Sequence, residues 1–308
     1  MTMRDPSVEA WRIICMLTVV ISHVLVVNHM QGFDYLQWHV PGFLWITGYY
    51  GIRFSWKKVY MLLLSTYMCY WMTIPFRECA GTADYFIKLL LPHGGWFLPF
   101  YIMLMFLSPL FEAAIKDKES HRRIVCLVLL LAIWGWLPAL LGENPHVAMM
   151  RIPGMTGNGV LLAIVVYMTA RILSKYDDWI MAIPRIMKIM MFGMLIVCCG
   201  LVGRRGGYGN VICLCAACCG FYAVKGLKIP AIVGKAAVWL APSMWGVYVL
   251  HECCVKSWQK IPSCIGGGAG AVLLWAAALF VVCCFMDIIR RGLMAVLAKG
   301  LRGVFKHG

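Results

Sequence analysis

Charge is scarce in this sequence. Only 13% of its 308 residues are Asp, Glu, Lys or Arg, and 62% are hydrophobic. A soluble domain carries about 25% charged residues, so an ordinary globular chain is excluded. Long polar stretches are lacking too, and no segment is hydrophilic enough for a separate soluble domain. Several signatures are missing: a Walker-type glycine loop, a G-x-S-x-G elbow and an H-E-x-x-H helix. Phosphate-driven pumping, serine hydrolysis and zinc proteolysis therefore have no support. No internal repeat is visible, which weighs against an inverted-repeat transporter. No A-x-A site follows the first apolar segment, whose start is interrupted by acid and base, so it reads as a retained helix rather than a cleaved signal.

What remains is the composition of an all-α, polytopic helical bundle. A span needs about 20 mostly apolar residues. Ten segments qualify, at roughly 8–28, 40–55, 58–76, 96–115, 122–141, 157–174, 181–202, 209–226, 233–257 and 267–289. The second is short and glycine-rich, and "LLLPHGGWFLPF" carries the proline and glycine content of a re-entrant piece. The connections on one side hold most of the Lys and Arg, among them Arg53, Lys57, Lys58, Arg122 and Arg123. That bias places both termini in the cytoplasm. "GRRGG" at 203–207 is the main exception. Residues 1–289 read as a single transmembrane domain and 290–308 as a basic cytoplasmic tail, either an amphipathic helix on the inner leaflet or a frayed end.

The net charge of +15 does not signal nucleic acid, because the bases sit in short clusters between apolar runs. A basic inner face suits anionic lipids and a phosphorylated cytosolic substrate. The 15 cysteines lie largely inside apolar runs, where they act as small hydrophobes rather than as disulfides or metal ligands.

The first apolar segment, "EAWRIICMLTVVISH" (residues 9–23), carries Glu9, Arg12 and His23. Arg12 and His23 are eleven residues apart, which returns the helix to within about 20° of the same azimuth and separates them by roughly 16 Å. Glu9 is one turn before Arg12 and close enough to pair with it. Ionisable groups facing hydrocarbon are costly, so this stripe faces a cavity. The blander reading is a satisfied core histidine and an arginine snorkelling to the interface.

The pattern Glu-x-x-Arg, ten residues, then His resembles the first-helix signature of the membrane-bound acyltransferase-3 family, whose members O-acetylate surface polysaccharides. Three further stretches are similar to that family in the same order: "VPGFLWITGYYG" (40–51), "GGWFLPFYIMLMFLSPLFE" (94–112) and "SMWGVYVLHE" (243–252). Thr47 stands where the family often has serine before the glycine, and no fused esterase-like domain is present.

The resemblance implies transfer of an acyl group, acetyl first of all, from acyl-CoA to a hydroxyl of a glycan or lipid-linked sugar, in the inner membrane of a bacterium and without a metal. It implies His23 as general base, with an acyl-histidine intermediate as the alternative. Arg12 then binds or orients the donor, unless it and Glu9 only lock the helix. Lys57, Lys58, Arg122 and Arg123 are candidate helpers for the CoA phosphates or plain positive-inside anchors. His251 lines the acceptor side, stabilises the oxyanion, or packs. Tyr248, Trp38, His93 and Trp96 are candidate sugar contacts, though Trp and Tyr also serve as interface anchors. The rival class is a transporter or flippase that passes protons or anions along the Arg12–His23 stripe; a third reading is a non-catalytic membrane subunit.

Overall fold

The structure is a computed structural model that describes residues 5–73, 97–116, 118–140, 160–202, 211–253, 256–266 and 268–304. Every regular element among the described residues is a helix, with no strand among them. In chain order the helices are α1 (Pro6–Val27), α2 (His39–Tyr50), α3 (Trp56–Thr73), α4 (Phe97–Lys116), α5 (Lys118–Leu140), α6 (Val160–Leu173), α7 (Asp177–Ala182), α8 (Arg185–Val202), α9 (Val211–Val224), α10 (Ala231–Leu240), α11 (Met244–Cys253) and α12 (Ala269–Val304).

Local chemistry sets the ends of α1. Asp5 caps it by accepting the Ser7 amide at 2.9 Å, Pro6 opens it, and Glu9 sits in its first turn. An acid near the positive end of the helix dipole and a proline without a needed N–H both favour this start. At the other end the Asn28 side-chain amide donates to Val24 O at 2.7 Å and to Gln259 O at 2.8 Å. Its Oδ1 accepts from the Ile261 amide at 3.0 Å. One side chain thus ends α1 and ties it to the segment that follows α11.

Helix α1 is the centre of the bundle, packed against α2, α10, α11 and α12. Trp11 and Cys15 belong to one buried cluster with Leu44, Trp45, Phe100 and Tyr167. Met16, Val20 and Val24 belong to a second, with Tyr70, Val247, Leu250 and Cys283. Close approach of α2 and α6 depends on Gly48, since a Cβ there would meet Tyr167 O and the Ala170 methyl. Small residues at such crossings are a general device of membrane bundles, where packing rather than a hydrophobic drive joins helices.

Four helices are long and apolar enough to cross a membrane: Pro6–Val27, Phe97–Lys116, Ala231–Glu252 and Ala269–Val296, with mean hydropathies of 2.1, 1.7, 1.2 and 2.6. A fifth candidate is the pair Ala163–Ala182 and Arg185–Leu201, bent by 119°. The other expected segments are helical but shorter or more polar: α2 has 12 residues and α9 has 14. Large apolar side chains such as Leu201, Ile232 and Trp179 are exposed at 78%, 84% and 72%, as a lipid-facing belt requires.

Polar contacts gather at one end of the bundle. Arg171 pairs with Glu112, with Nη2 to Oε2 at 2.9 Å, and reaches Tyr49 O at 3.3 Å. Lys225 pairs with Asp177, which also accepts the Tyr49 hydroxyl at 2.8 Å. Lys175 donates to Ile115 O at 2.7 Å, and the Gly226 amide donates to Ser7 Oγ at 3.0 Å. The same end holds Arg53, Lys58 and Arg290. Helix α12 runs unbroken through residue 290, where the apolar run gives way to the basic tail, and continues to Val304.

Two segments differ in detail from the sequence reading. The helix expected over 40–55 stops at Tyr50, because Gly51 turns the chain at φ +73°. The helix expected over 233–257 is broken into α10 and α11 by a 3-10 turn at Ala241–Ser243. Pro242 has no N–H to continue the α-helical ladder, and the break places it in a cavity wall.

Candidate functional site

Two neighbouring cavities lie along α1. The inner one encloses about 280 Å³ and includes His23, His39, Phe43, Tyr101, Trp245 and Tyr248 in its wall. The second, a vestibule of about 750 Å³, includes Asp5, Glu9, Arg53, Lys58 and Arg290. Arg12, Thr47, Tyr101 and Trp245 line both, so Arg12 stands where the two meet. The inner cavity draws its walls from both core clusters and lies on the seam between them. The helical spacing of Arg12 and His23 therefore has a physical counterpart, with both side chains in the wall of the inner cavity.

His23 is in contact with the helix that resembles the family's late motif. Its Nδ1 lies 3.1 Å from His251 Nε2, and the two rings are 4.8 Å apart. His251 is fully buried, and its Nδ1 lies 2.9 Å from Val247 O. A carbonyl only accepts, so His251 Nδ1 carries the proton. In the neutral ring Nε2 is then an acceptor. It accepts from His23 Nδ1–H, which leaves the His23 lone pair on Nε2. The hydrogen bonds thus choose the tautomer in which the cavity-lining imidazole can take a proton. The His251 carbonyl is held in turn by Gln259 Nε2 at 2.9 Å.

Arg12 Nη1 lies 3.1 Å from Glu9 Oε2, with the Glu9 side chain nearly buried and that of Arg12 29% exposed. The two form an ion pair one turn apart, and Arg12 lines both cavities. His39, which the sequence places in an outer connection, sits buried in the first turn of α2 and lines the inner cavity. Its Nδ1 donates to Leu36 O. Tyr248 contributes its ring to the wall, while its hydroxyl accepts from the Phe97 amide at 3.3 Å.

Other sequence candidates are placed elsewhere. Trp38 is buried and stacked on Trp11 at 5.1 Å, with Phe192 edge-on at 5.1 Å. It lines neither cavity, so a core contact replaces the expected sugar contact. Lys58 lines the vestibule, but its neighbour Lys57 is exposed and does not. Arg122 and Arg123 are exposed on α5, and Arg123 pairs with Glu119, away from both cavities. His93 and Trp96 lie outside the described residues.

The sequence reading did not single out Arg53 or Arg290 as site residues. Arg53 was visible as a base beside Lys57 and Lys58; Arg290 reads as the start of a tail, and only the packing of α12 brings it to the vestibule. Among the described residues no cluster of His, Cys, Asp and Glu could hold a metal. The described cysteines are free thiols, with Cys199 and Cys213 in contact at 3.6 Å. Neither a protein-family model, a curated protein nor a solved structure matches the chain.

Proposed function

We propose that this chain is an integral-membrane O-acyltransferase of the acyltransferase-3 type, carrying acetyl or another acyl group from acyl-CoA to a hydroxyl of a glycan or lipid-linked sugar. In this reading the chain crosses the bacterial inner membrane about ten times with both termini in the cytoplasm. The gathering of charged contacts at one end of the helices supports that topology.

One observation carries the functional reading: a half-buried, correctly tautomeric imidazole lines a cavity that adjoins a cationic vestibule, with Arg12 in the wall of both. The vestibule takes the charged end of the donor, and the apolar inner cavity takes its acyl arm past Arg12. The acceptor hydroxyl attacks the thioester carbonyl carbon and gives its proton to His23 Nε2. The new C–O bond forms, the C–S bond breaks, and the CoA sulfur leaves and takes up the proton. His251 keeps His23 in register and stabilises the imidazolium through the Nδ1–H bond. This arrangement needs no metal.

The same hollow would also suit a transporter passing protons or anions, since it joins Arg12 to His23. Purified protein incubated with acetyl-CoA separates the two readings. The transferase binds acetyl-CoA and slowly hydrolyses it without acceptor; a transporter leaves it untouched.

A further inference from the structure

Asp287 of α12 is fully buried. It lies directly against the backbone of α11, where a Cβ on Gly246 would fall on its carboxylate. Its Oδ1 accepts from Arg290 Nε at 2.8 Å and lies 2.7 Å from Arg290 Nη2. Its Oδ2 is 3.5 Å from Arg291 Nε. Arg290 is only 6% exposed, yet it forms part of the vestibule wall. A guanidinium has five N–H donors in a rigid fork. Asp287 takes the Nε–Nη2 edge, and among the described residues the remaining donors have no protein partner. Holding a buried arginine in this way is costly unless the arrangement is well satisfied.

The surroundings carry excess positive charge. Arg12, Arg53, Lys58 and Arg290 face the vestibule against Asp5 and Glu9. Asp5 is already engaged by Ser7, and Glu9 by Arg12. A ligand that satisfied this wall would bring negative charge and several acceptor oxygens, the properties of a phosphate group.

We propose that Arg290 is a phosphate-binding residue of the vestibule and that Asp287 is its positioning residue. The ligand is a phosphate ester from one of two sources: the nucleotide end of the acyl donor, or the headgroup of an anionic lipid from the charged side of the membrane. The first source rests on the acyltransferase reading; the second does not.

The test uses the full chain in nanodiscs, with R290Q, R290K and D287N beside the wild type. Binding is measured for acetyl-CoA, acetyl-dephospho-CoA and acetyl-pantetheine, and native mass spectrometry follows retained phosphatidylglycerol. If the donor is the source, R290Q weakens acetyl-CoA by about tenfold or more, the size of one lost charge-assisted fork, and leaves acetyl-pantetheine unchanged. R290K keeps the charge without the fork, and D287N frees the fork from its seat; each gives a smaller loss, seen as higher KM at unchanged kcat. These two variants decide the matter if R290Q does not fold. If the lipid is the source, R290Q loses retained phosphatidylglycerol while acetyl-CoA binding is unchanged. Failure of the wild type to bind acetyl-CoA sinks the acyltransferase reading, and the lipid arm alone then decides. Variants that bind every ligand and retain lipid like the wild type overturn the proposal.

Discussion

Replacing His251 with Phe is the most informative single change to the core of the site. An aromatic ring is kept at the position, but the acceptor for His23 Nδ1–H, now 3.1 Å away, is lost. Two consequences follow. In the resting state His23 is released to take the other tautomer, with the proton on Nε2, where it cannot act as base. In the transition state the imidazolium loses a charge-assisted hydrogen bond worth about 1.5–3 kcal/mol. At about 1.4 kcal/mol per tenfold change in rate, kcat falls by about ten- to more than a hundredfold. KM for acyl-CoA stays within about twofold, since His251 lies behind His23 and does not line either cavity. His251→Gln, whose side-chain carbonyl can still accept a hydrogen bond, recovers part of the loss. Initial rates of acetyl transfer against donor concentration, with thermal melting as the folding control, make the measurement. A well-folded His251→Phe enzyme with wild-type kcat would refute the tautomer argument.

Gly246→Val sets a branched side chain against the Asp287 carboxylate; we expect overpacking to cost about 1–3 kcal/mol, read as a lower melting temperature. Trp38→Ala empties a buried stack and should cost about 3–5 kcal/mol of stability. Its KM for donor and acceptor should stay at the wild-type value in whatever fraction remains folded, because Trp38 lines neither cavity. Arg12→Lys keeps the charge but loses the planar guanidinium that pairs with Glu9, and donor KM should rise about tenfold. The double change Arg122→Gln and Arg123→Gln should leave donor KM unchanged, since both side chains are exposed on α5 away from the vestibule.

How far the sequence could reach is clearest along α1. Its apolar run and the eleven-residue spacing of Arg12 and His23 are both local, and local signals survive in a single sequence. His23 and Arg12 do line one hollow because helical geometry alone puts them on one face. Trp38 shows the limit. An aromatic residue in a polar connection resembles an interface anchor, and nothing local reveals that Trp11 and Phe192 close over it. The same holds for Arg53, His39 and Arg290. Each reaches the cavities through contacts between helices far apart in sequence. Asp287 is the sharpest case: an acid near the end of an apolar run reads as a helix terminus, while its function depends on the missing Cβ of Gly246, 41 positions earlier. Ten apolar stretches can be read along the sequence, and four of the described helices meet the length and apolarity of a span. The stop at Gly51 and the break at Pro242 follow from local residue types, whereas the 119° bend between Ala163–Ala182 and Arg185–Leu201 is not encoded in composition.

The central claim is that His23 performs chemistry on an acyl-CoA donor. Its most direct test is acetyl transfer from radiolabelled acetyl-CoA to the envelope glycans of cells making the wild type or His23→Ala, at matched expression and with folding checked side by side. The account predicts label in a glycan fraction with the wild type and none above background with His23→Ala. Equal labelling with both proteins would contradict it.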